Sequence, residues 1–442
     1  MAKKDADTYD VIVVGSGPGG ATVARELSRG GWKTLILEKG KNHRKLGTYM
    51  AALSIMDGYG LLRSKEGMSV LRAMTTGGAS VVYSASAADP PPWLATKYGI
   101  DLSPFMTGIK QETGAGILPE NLMGKASIKI MDTANKIGYK WEPMPKFLDP
   151  EKFVNGKCCG ADTHMGCKCG AKWTAREYIK DATVAGADLL TETECESLIL
   201  ENGKVVGVKA RCGDGAVKEY RSETVVLGAG GIGTPLLMQK AGIDEAGSGC
   251  FMDPTMVVYG ETGEEGTWRD PPVSVVSWEY YDSHGIRLGT IIEPRLLMAL
   301  NMAKKSPRYL GFAMNYKKLA GILIKVKDDL SGGVSRDGTI SKPLSEDDLA
   351  RLEKGKKVAK DILRAMGCRR DKIVEGDIKG AHPSGTCRIG SVVNDNLETQ
   401  IKGLYVCDAS VFPEALDRPT VITIIGLGKR LATRLISGEA QP

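Results

Sequence analysis

The chain has 442 residues, of which 42 % are hydrophobic and 25 % charged, a composition typical of a folded globular protein and unlike a disordered or fibrous chain. Its net charge of +6 comes from interspersed basic and acidic residues, so we expect no nucleic-acid partner. No stretch reaches the roughly 18 apolar residues of a membrane helix, and the N-terminus lacks an apolar signal region, so we expect a cytoplasmic protein without a transmembrane segment.

The first forty residues predict a strand, a helix and a second strand. Residues 10–14 are rich in β-branched side chains, which is typical of a buried parallel strand. Residues 21–29 predict a helix that ends at Gly30 and Gly31, and residues 34–37 predict the second strand. This order is that of a βαβ unit and favours an α/β fold.

A glycine motif connects the first strand to the helix. Gly15, Gly17 and Gly20 form G-x-G-x-x-G, in which the first glycine permits a tight turn, the second a close pyrophosphate and the third close packing of helix and strand. Glu38 follows 18 residues after Gly20, where a carboxylate can bind a ribose. The motif predicts a dinucleotide site, and its position near the N-terminus, with Lys-Gly after the acid, favours FAD over NAD.

Further elements follow along the chain. Small residues at 77–80 suggest a backbone segment pressed against a flat ligand, and Asn202-Gly203 predicts a hairpin turn. Residues 225–227 predict another buried strand that runs into Gly-Ala-Gly-Gly. A helix is then expected over 235–241, with Pro235 in its first turn.

The chain after residue 250 changes in character. We expect a second, substrate-covering sheet whose strands are "VSVVSWEYY", "GIRLGTII" and "GILIKVKDD". An amphipathic helix follows, with Ser345 as its N-cap and Gly367 as its stop. The basic and apolar segment 301–324 reads as packed sheet and loop, and is also compatible with peripheral contact to a lipid surface.

Four of the ten cysteines lie within twelve residues, Cys158, Cys159, Cys167 and Cys169, with His164 between them. A disulfide is disfavoured in a reducing compartment, and structural zinc usually has C-x2-C pairs. An iron–sulfur cluster accepts looser spacing, whereas free thiols would only pack a loop. The residues alone leave these alternatives open, and we expect His164 in a surface loop rather than as a ligand.

Three segments resemble family signatures. They are "GGAS" at 77–80, "GAGGIGTPLLMQKAGI" at 228–243, and "HPSGTCRIG" at 382–390 followed by "GLYVCDASVFPEALDRPTVITIIGLGKRLA". Together with the first motif they resemble, in content and order, the signatures of the glucose–methanol–choline (GMC) oxidoreductases. The resemblance implies an FAD-binding Rossmann-like domain and a sheet-based substrate domain that is trimmed in this short chain, α/β locally and α+β overall.

This resemblance implies a division of the chain. The FAD-binding domain is expected to comprise residues 1–90, 185–250 and 381–442, a cap and cysteine segment 91–184, and the substrate domain 251–380. The glycine motif and its acid are then expected to hold the ADP half of FAD. The other residues expected at the cofactor are Gly78 and Ser80 beside the flavin, and Asp408 and Ala409 beside the ribityl-pyrophosphate.

The resemblance also implies a reacting centre. His382 stands where the family places its catalytic histidine, as a base or an anchor for the alcohol. The family's second catalytic position is His or Asn, and here it falls on Arg418 or Pro419. Arg418 cannot act as a base but can bind an anionic or oxyanionic group. The Asn expected near Tyr83 is also absent.

The cysteine segment resembles GMC dehydrogenase subunits that carry an iron–sulfur cluster. This implies a 3Fe–4S or 4Fe–4S cluster on Cys158, Cys159, Cys167 and Cys169, and an electron-transfer protein as partner. The expected function is therefore oxidation of a small-molecule alcohol (sugar, polyol or lipid-like), with electrons leaving through the cluster. Two alternatives are a cluster-fed reductase of C=C or C=O bonds and a non-catalytic FAD subunit.

Overall fold

The computed structural model describes residues 8–154, 159–305, 309–416 and 418–438. Its strands are β1 (Val11–Val14), β2 (Thr34–Leu37), β3 (Ser69–Val70), β4 (Glu142–Pro143), β5 (Asp188–Leu190), β6 (Glu194–Glu201), β7 (Lys204–Arg211), β8 (Val217–Arg221), β9 (Val225–Leu227), β10 (Ser248–Cys250), β11 (Pro254–Glu261), β12 (Val275–Ser277), β13 (Ile286–Thr290), β14 (Leu319–Val326), β15 (Ser331–Val334), β16 (Ile340–Ser341), β17 (Ile373–Glu375), β18 (Lys379–Gly380) and β19 (Leu404–Val406).

Its helices are α1 (Pro18–Arg29), α2 (Tyr49–Ile55), α3 (Trp93–Tyr98), α4 (Ser103–Thr113), α5 (Glu120–Met123), α6 (Lys125–Lys136), α7 (Ala175–Val184), α8 (Gly230–Lys240), α9 (Tyr281–His284), α10 (Arg295–Lys305), α11 (Leu310–Met314), α12 (Glu346–Ala365) and α13 (Val421–Ser437). Across the described ranges, none of them combines the length and the apolar character that crossing a membrane requires.

A parallel sheet forms the core of the first part of the chain. Its strand order is β19-β9-β1-β2-β5, and β1 pairs with β2 and β9. All residues of β1, β2 and β9 are buried, as expected for a parallel sheet that is covered on both faces. Helix α1 packs on α7 and α13. The predicted βαβ order is confirmed, although α1 begins at Pro18 rather than at residue 21, since proline suits the first helical position.

Helix α8 begins five residues before its predicted start. Pro235 therefore lies inside the helix and cannot donate a hydrogen bond to the carbonyl of Gly231. Thr386 compensates, because its hydroxyl donates to that carbonyl oxygen at 2.9 Å. This contact joins residues 155 positions apart, so the local pattern could not have indicated it.

An eight-stranded sheet forms the second core. Its order is β3-β18-β11-β14-β13-β12-β4, with β17 also paired to β11. Helix α12 covers one face, and its predicted N-cap is confirmed, because Ser345 accepts from the Asp348 amide while the Asp348 carboxylate accepts from the Ser345 amide.

Two parts of this region differ from the prediction. Only Val275–Ser277 of "VSVVSWEYY" is a strand, and a short helix, α9, begins at Tyr281. The segment read as packed sheet and loop contains helices α10 and α11, which pack on each other. Their buried residues, which include Met298, Met302 and Phe312, contact apolar residues of the eight-stranded sheet such as Tyr259. The sequence analysis did not predict these helices in the basic and apolar segment. Packing of their apolar side chains on the sheet stabilises them.

Candidate functional site

The glycine motif forms a tight turn at the end of β1. Gly15 has a φ of +100°, and a Cβ on it would lie 2.4 Å from the Gly228 carbonyl oxygen at the end of β9. A Cβ on Gly20 would lie 2.1 Å from the Gly15 carbonyl oxygen. Both positions therefore require glycine for the close packing of α1 on the strands, as the motif predicted.

Gly17 differs from its neighbours, because a Cβ on it would meet no protein atom within 4 Å. Protein packing therefore does not require glycine there, and the open space at the start of α1 fits a pyrophosphate. Gly78, with a φ of +55°, faces it so closely that a Cβ on Gly78 would lie 3.0 Å from the Gly17 Cα. The segment 77–80 is thus brought against the nucleotide loop.

Ser16, which the sequence did not indicate, joins three segments. Its hydroxyl donates to Glu38 Oε2 at 2.6 Å and accepts from the Gly77 amide at 3.0 Å. Its own amide donates to the same oxygen of Glu38 at 3.1 Å. The first loop, the end of β2 and the segment 77–80 are therefore held together by one buried side chain.

Glu38 ends β2 and is 7 % exposed. Burial raises the pKa of its carboxyl group, while hydrogen bonds from Ser16 and the Gly40 amide oppose that shift. A carboxylate offers about four acceptor positions, and Glu38 uses three of them, for the Ser16 amide, the Ser16 hydroxyl and the Gly40 amide. One position therefore remains for a ribose hydroxyl.

A cleft of about 470 Å³ begins directly after Glu38. Its lining includes Lys39, Gly40, Met74, Glu192 and Glu194. This volume is within the range of small-molecule and cofactor sites. The glycine at 17, the remaining acceptor position on Glu38 and the adjoining cleft together fit the ADP half of FAD.

The other residues that the sequence analysis predicted at the cofactor make hydrogen bonds within the protein. Ser80 donates to the Gly77 carbonyl oxygen at 2.6 Å and accepts from the Ala175 amide at 2.9 Å. Asp408 Oδ2 accepts from the Gly230 amide at 2.8 Å and from the Thr234 hydroxyl at 2.6 Å. Asp408 thus holds the start of α8 against the segment after β19.

Burial raises the pKa of Asp408, against the opposing effect of its hydrogen bonds. The next residue, Ala409, accepts the Gly385 amide on its carbonyl oxygen at 3.1 Å, which links the "HPSG" segment to the "CDAS" segment. Asp408 and Ala409 therefore connect two of the signatures that the sequence placed beside the cofactor.

His382 is positioned by the chain before β11. The amides of Ala381 and His382 both donate to the Met252 carbonyl oxygen, at 2.8 and 3.0 Å. Phe251 and Ser384 exchange two backbone hydrogen bonds, each of 2.9 Å. The "HPSG" segment is therefore paired with residues 251–253, which places the His382 ring beside Asp253.

Asp253 and Lys325 contact the His382 ring, and the sequence analysis missed both. His382 Nδ1 lies 2.8 Å from Asp253 Oδ2 and 2.7 Å from Lys325 Nζ, and these two partners are 3.1 Å apart. The side chains of Asp253 and Lys325 are 1 % and 3 % exposed, against 29 % for His382. A lysine in the otherwise apolar "GILIKV" strand was the available signal, since buried charges are almost always paired.

The electrostatic surroundings keep the His382 ring neutral. Burial lowers its pKa to about 4, and the positive charges of Lys325 and Arg287 act in the same direction. Asp253 opposes these effects on the ring. Burial raises the pKa of Asp253 itself, but Lys325 and His382 stabilise its charged form, so that its pKa lies well below the usual value. At physiological pH the ring is therefore a proton acceptor rather than a cation.

Asp253 is held in an unusual conformation. Its φ is +46°, in the left-handed region that costs a non-glycine residue about 1–3 kcal/mol. The Met252 and Asp253 amides donate to Asp328 at 2.8 and 3.0 Å, and Lys342 pairs with Asp328 at 2.7 Å. Such strain is typical of functional sites and needs this support.

Arg418 lies at the last turn before α13, beside two aromatic rings. Its Nε donates to the Tyr281 hydroxyl at 3.0 Å and its Nη1 to the Asp89 carbonyl oxygen at 3.0 Å. The guanidinium carbon is 4.5 Å from the centre of the Tyr281 ring and 5.5 Å from that of Trp278. Among the described residues no carboxylate pairs with Arg418, so none of them compensates the charge of its guanidinium group.

Arg287 connects Arg418 to the histidine. Its guanidinium carbon is 5.6 Å from the centre of the same Trp278 ring, and its backbone is paired with Lys325 in the sheet. The hydrogen bonds described include none between His382 and Arg418. The two residues are connected instead through Trp278, Arg287 and Lys325.

Two further lysines are buried nearby. Lys146 Nζ donates to the carbonyl oxygens of Ser84 and Pro272, each at 2.6 Å, and its pKa is far below the usual value because of burial and the charges of Arg287 and Lys172. Lys172 donates to Thr163 O at 2.6 Å and Val81 O at 2.8 Å. Burial therefore favours the uncharged form of Lys146.

Three of the four clustered cysteines converge. Cys169 Sγ lies 3.5 Å from the Sγ atoms of both Cys159 and Cys167, and all three are free thiols. Cys158 lies outside the described residues. Across the described ranges, no three or more His, Cys, Asp or Glu side chains form a group that could hold a metal ion. His164 is partly buried rather than in the expected surface loop, and its Nε2 lies 2.9 Å from the Ser84 hydroxyl.

Comparison with known proteins identifies relatives that match nearly the whole of this chain. A protein of Methanocaldococcus jannaschii described as uncharacterised is 28 % identical over 97 % of this chain and 100 % of its own. The long-chain-alcohol oxidase FAO3 of Arabidopsis thaliana is 25 % identical over 96 % of this chain and 67 % of its own. Among solved structures, pyridoxine 4-oxidase from Mesorbium loti has a TM-score of 0.70 at 16 % identity, covering 96 % of this chain and 98 % of that one.

The likeness to the solved structure concerns the fold, a Rossmann-like nucleotide part with a sheet-based second part. Family membership rests on the sequence itself. The GMC oxidoreductase family matches residues 9–255 with the model of its N-terminal part and residues 340–428 with that of its C-terminal part. The chain therefore belongs to the GMC oxidoreductase family and is an oxidoreductase, for which FAD is the typical cofactor.

Proposed function

We propose that this protein is an FAD-dependent oxidoreductase that oxidises an alcohol, with His382 as the group that accepts the hydroxyl proton. The observation that carries the proposal is the His382 ring, neutral at physiological pH and 29 % exposed, inside a GMC fold. FAD, when bound, supplies the hydride acceptor. The names of the relatives, which include long-chain-alcohol oxidases and a 2-methyl-1,2-propanediol dehydrogenase, support an alcohol as the substrate.

The cofactor is held, in this proposal, by residues from distant parts of the chain. Gly17 and Glu38 take the pyrophosphate and ribose of the ADP half, and Gly15 and Gly20 shape the loop that presents them. The remaining contacts come from the segment 77–80 and the segment after β19. Their residues are Gly78, Ser80, Asp408 and Ala409. We also retain residues 1–90, 185–250 and 381–442 as the FAD-binding domain, 91–184 as the cap and cysteine segment, and 251–380 as the substrate domain.

Arg418 supports the removal of the hydroxyl proton. When His382 accepts the proton, negative charge develops on the alcohol oxygen, and a fixed positive group stabilises it. Arg418 carries a charge that no described carboxylate compensates. Arg418 therefore replaces the family's second catalytic His or Asn as an oxygen-binding cation rather than as a base.

The same electrostatics favour oxidation over the reductase alternative. A reductase needs a group that is protonated at working pH and donates its proton to the substrate. His382, whose pKa is lowered to about 4, is unprotonated at neutral pH. The non-catalytic alternative is disfavoured because a ring held by two buried charges and a strained Asp253 is an arrangement typical of a catalytic group.

The cysteine segment supports packed thiols more than an iron–sulfur relay. The thiolates of a cluster bind different iron atoms and are therefore separated by the cluster core. Here Cys169 Sγ is only 3.5 Å from the sulfurs of both Cys159 and Cys167. Burial and the neighbouring Cys167 raise the pKa of Cys169, so its sulfur is a thiol when no metal is bound. The proposed function accordingly ends at FAD and does not include the cluster or its protein partner.

Metal analysis distinguishes these readings. We expect protein purified anaerobically to contain FAD at one equivalent per chain and less than about 0.1 equivalent of iron and of labile sulfide. The measurement is elemental analysis together with a visible spectrum that shows flavin bands alone. Three or more equivalents of iron with matching sulfide would contradict the packed-thiol interpretation and restore the relay.

The proposed activity is tested with a panel of alcohols. Under anaerobic conditions, 1-dodecanol, pyridoxine and 2-methyl-1,2-propanediol are mixed with the FAD-bound protein, and bleaching of the flavin absorbance near 450 nm is followed. We expect at least one primary alcohol to bleach the flavin and to yield the matching aldehyde. If no alcohol reacts, and reduced viologen with an enone is turned over instead, the reductase alternative replaces this proposal.

A further inference from the structure

Lys325, Asp253 and His382 form a closed triangle of polar groups between the two parts of the fold. Asp253 Oδ2 is the common acceptor, 2.8 Å from His382 Nδ1 and 3.1 Å from Lys325 Nζ. Lys325 Nζ is also 2.7 Å from Nδ1 but 3.5 Å from Nε2. Both buried partners therefore lie nearer to Nδ1 than to Nε2 or contact Nδ1 alone in the hydrogen bonds described, and the His382 side chain as a whole is 29 % exposed.

Two neighbours of Nδ1 bear on the position of the proton of the neutral ring. Asp253 Oδ2, 2.8 Å away, accepts from an Nδ1–H, whereas Lys325 Nζ, 2.7 Å away, donates to a bare Nδ1. The ammonium of Lys325 has the Asp253 carboxylate as an alternative acceptor, but the contact of that carboxylate with the ring requires a proton on Nδ1. In that tautomer Nε2 carries the lone pair that can accept a proton.

Asp253 alone would have a second effect, because an unbalanced buried carboxylate stabilises an imidazolium. Lys325, on β14, compensates the carboxylate charge. The other charges around the ring are Arg287 on β13, which disfavours a cation, and the pair Asp328–Lys342, which holds the backbone of 252–253. With Lys325 present, Asp253 can therefore hold the ring in place without stabilising its protonated form.

We propose that Lys325 is a positioning residue for the alcohol oxidation proposed above: by pairing with Asp253 it keeps the His382 ring neutral, with its proton on Nδ1 and Nε2 available for the hydroxyl proton. The role rests on that proposed function, but the state of the ring does not depend on turnover. Lys325 acts through Asp253 and the ring, and it transfers no proton to the substrate itself.

The first test is a titration of the ring itself. The FAD-bound protein is labelled with 15N-histidine, and the His382 signals are identified among the four histidines by their absence in His382→Ala. We expect the wild-type ring to be neutral, with its proton on Nδ1, down to about pH 5. In Lys325→Met we expect the pKa of His382 to rise by at least one unit. A wild-type ring with its proton on Nε2, or an unchanged pKa in Lys325→Met, overturns the proposal.

The second test is the pH dependence of flavin reduction by an alcohol that the wild type oxidises. Activity needs the neutral ring, so the rate rises with pH through the pKa of His382, near 4 in the wild type. In Lys325→Met this rise moves to higher pH by at least one unit, so the loss is about twofold or more at pH 5 and absent at pH 8. Lys325→Arg keeps the charge and keeps the rise near that of the wild type. An equal loss at every pH contradicts the proposal.

Asp253→Asn keeps the test decisive if Lys325→Met does not fold. With Lys325 present and the carboxylate neutral, an imidazolium is less favourable still, so the pKa of His382 stays at or below that of the wild type. A rise in this variant overturns the proposal. A wild-type protein that reduces no flavin with any alcohol would refute the proposed function, while the NMR titration would still decide the role of Lys325.

Discussion

Replacing His382 by alanine is expected to lower the rate of flavin reduction by a bound alcohol by about 10²–10⁴-fold, the range typical of the loss of a general base. The ring is the exposed member of a triangle whose other members are buried, and at neutral pH it is unprotonated. The measurement is stopped-flow bleaching of the flavin under anaerobic conditions, at saturating alcohol.

His284→Ala is the matched control for this experiment. His284 lies on the short helix α9 and is exposed. Its ring hydrogen-bonds to Ser283 and Lys354 and contacts the ring of Tyr280. We expect its rate to remain within about twofold of the wild type, as for an ordinary surface substitution. The FAD content of both variants should match that of the wild type. A loss of less than tenfold in His382→Ala would refute the assignment of His382 as the proton acceptor.

Replacing Glu38 by alanine is expected to weaken FAD binding by about 10–100-fold. The carboxylate has one acceptor position left for a ribose hydroxyl, and a hydrogen bond to a charged group is worth about 1.5–3 kcal/mol, at 1.4 kcal/mol for each tenfold change. The measurement is titration of the deflavinated protein with FAD, followed by flavin fluorescence.

Two further variants show whether the loss at Glu38 concerns the ligand. Ser16→Ala removes a protein contact of Glu38 and leaves the carboxylate in place, so we expect a smaller loss of FAD affinity. Glu201→Ala removes an exposed carboxylate that pairs only with Arg221, and we expect no change. Full FAD affinity in Glu38→Ala would mean that the carboxylate ties the loop together and does not bind the cofactor.

The βαβ unit was predictable because its signals are local. Gly15 and Gly20 act within a few residues of each other, and β1, α1 and β2 follow in sequence. The same holds for the N-cap of α12, where Ser345 and Asp348 are one helical turn apart. The GMC signatures were likewise readable, because each is a short contiguous segment.

Other features depended on contacts between distant residues. The start of α8 differed from the prediction because Thr386, far along the chain, satisfies the carbonyl that Pro235 leaves unpaired. Helices α10 and α11 owe their stability to packing on the sheet, not to their own pattern. The distances between the cysteine sulfurs could not be predicted either, because only the folded chain brings Cys159 and Cys167 to Cys169.

The reacting centre shows both contributions. The sequence by itself predicted that His382 stands at the family's catalytic position and that the second catalytic position falls on Arg418 or Pro419, and it determined that Glu38 ends the second strand. Only the tertiary structure decided what surrounds the histidine. Lys325 and Asp253 are 57 and 129 residues away from it along the chain, and β-sheet pairing brings them to its Nδ1. Residue type and spacing encode local structure, whereas the charge and the proton position of a ring depend on every group that the fold packs against it.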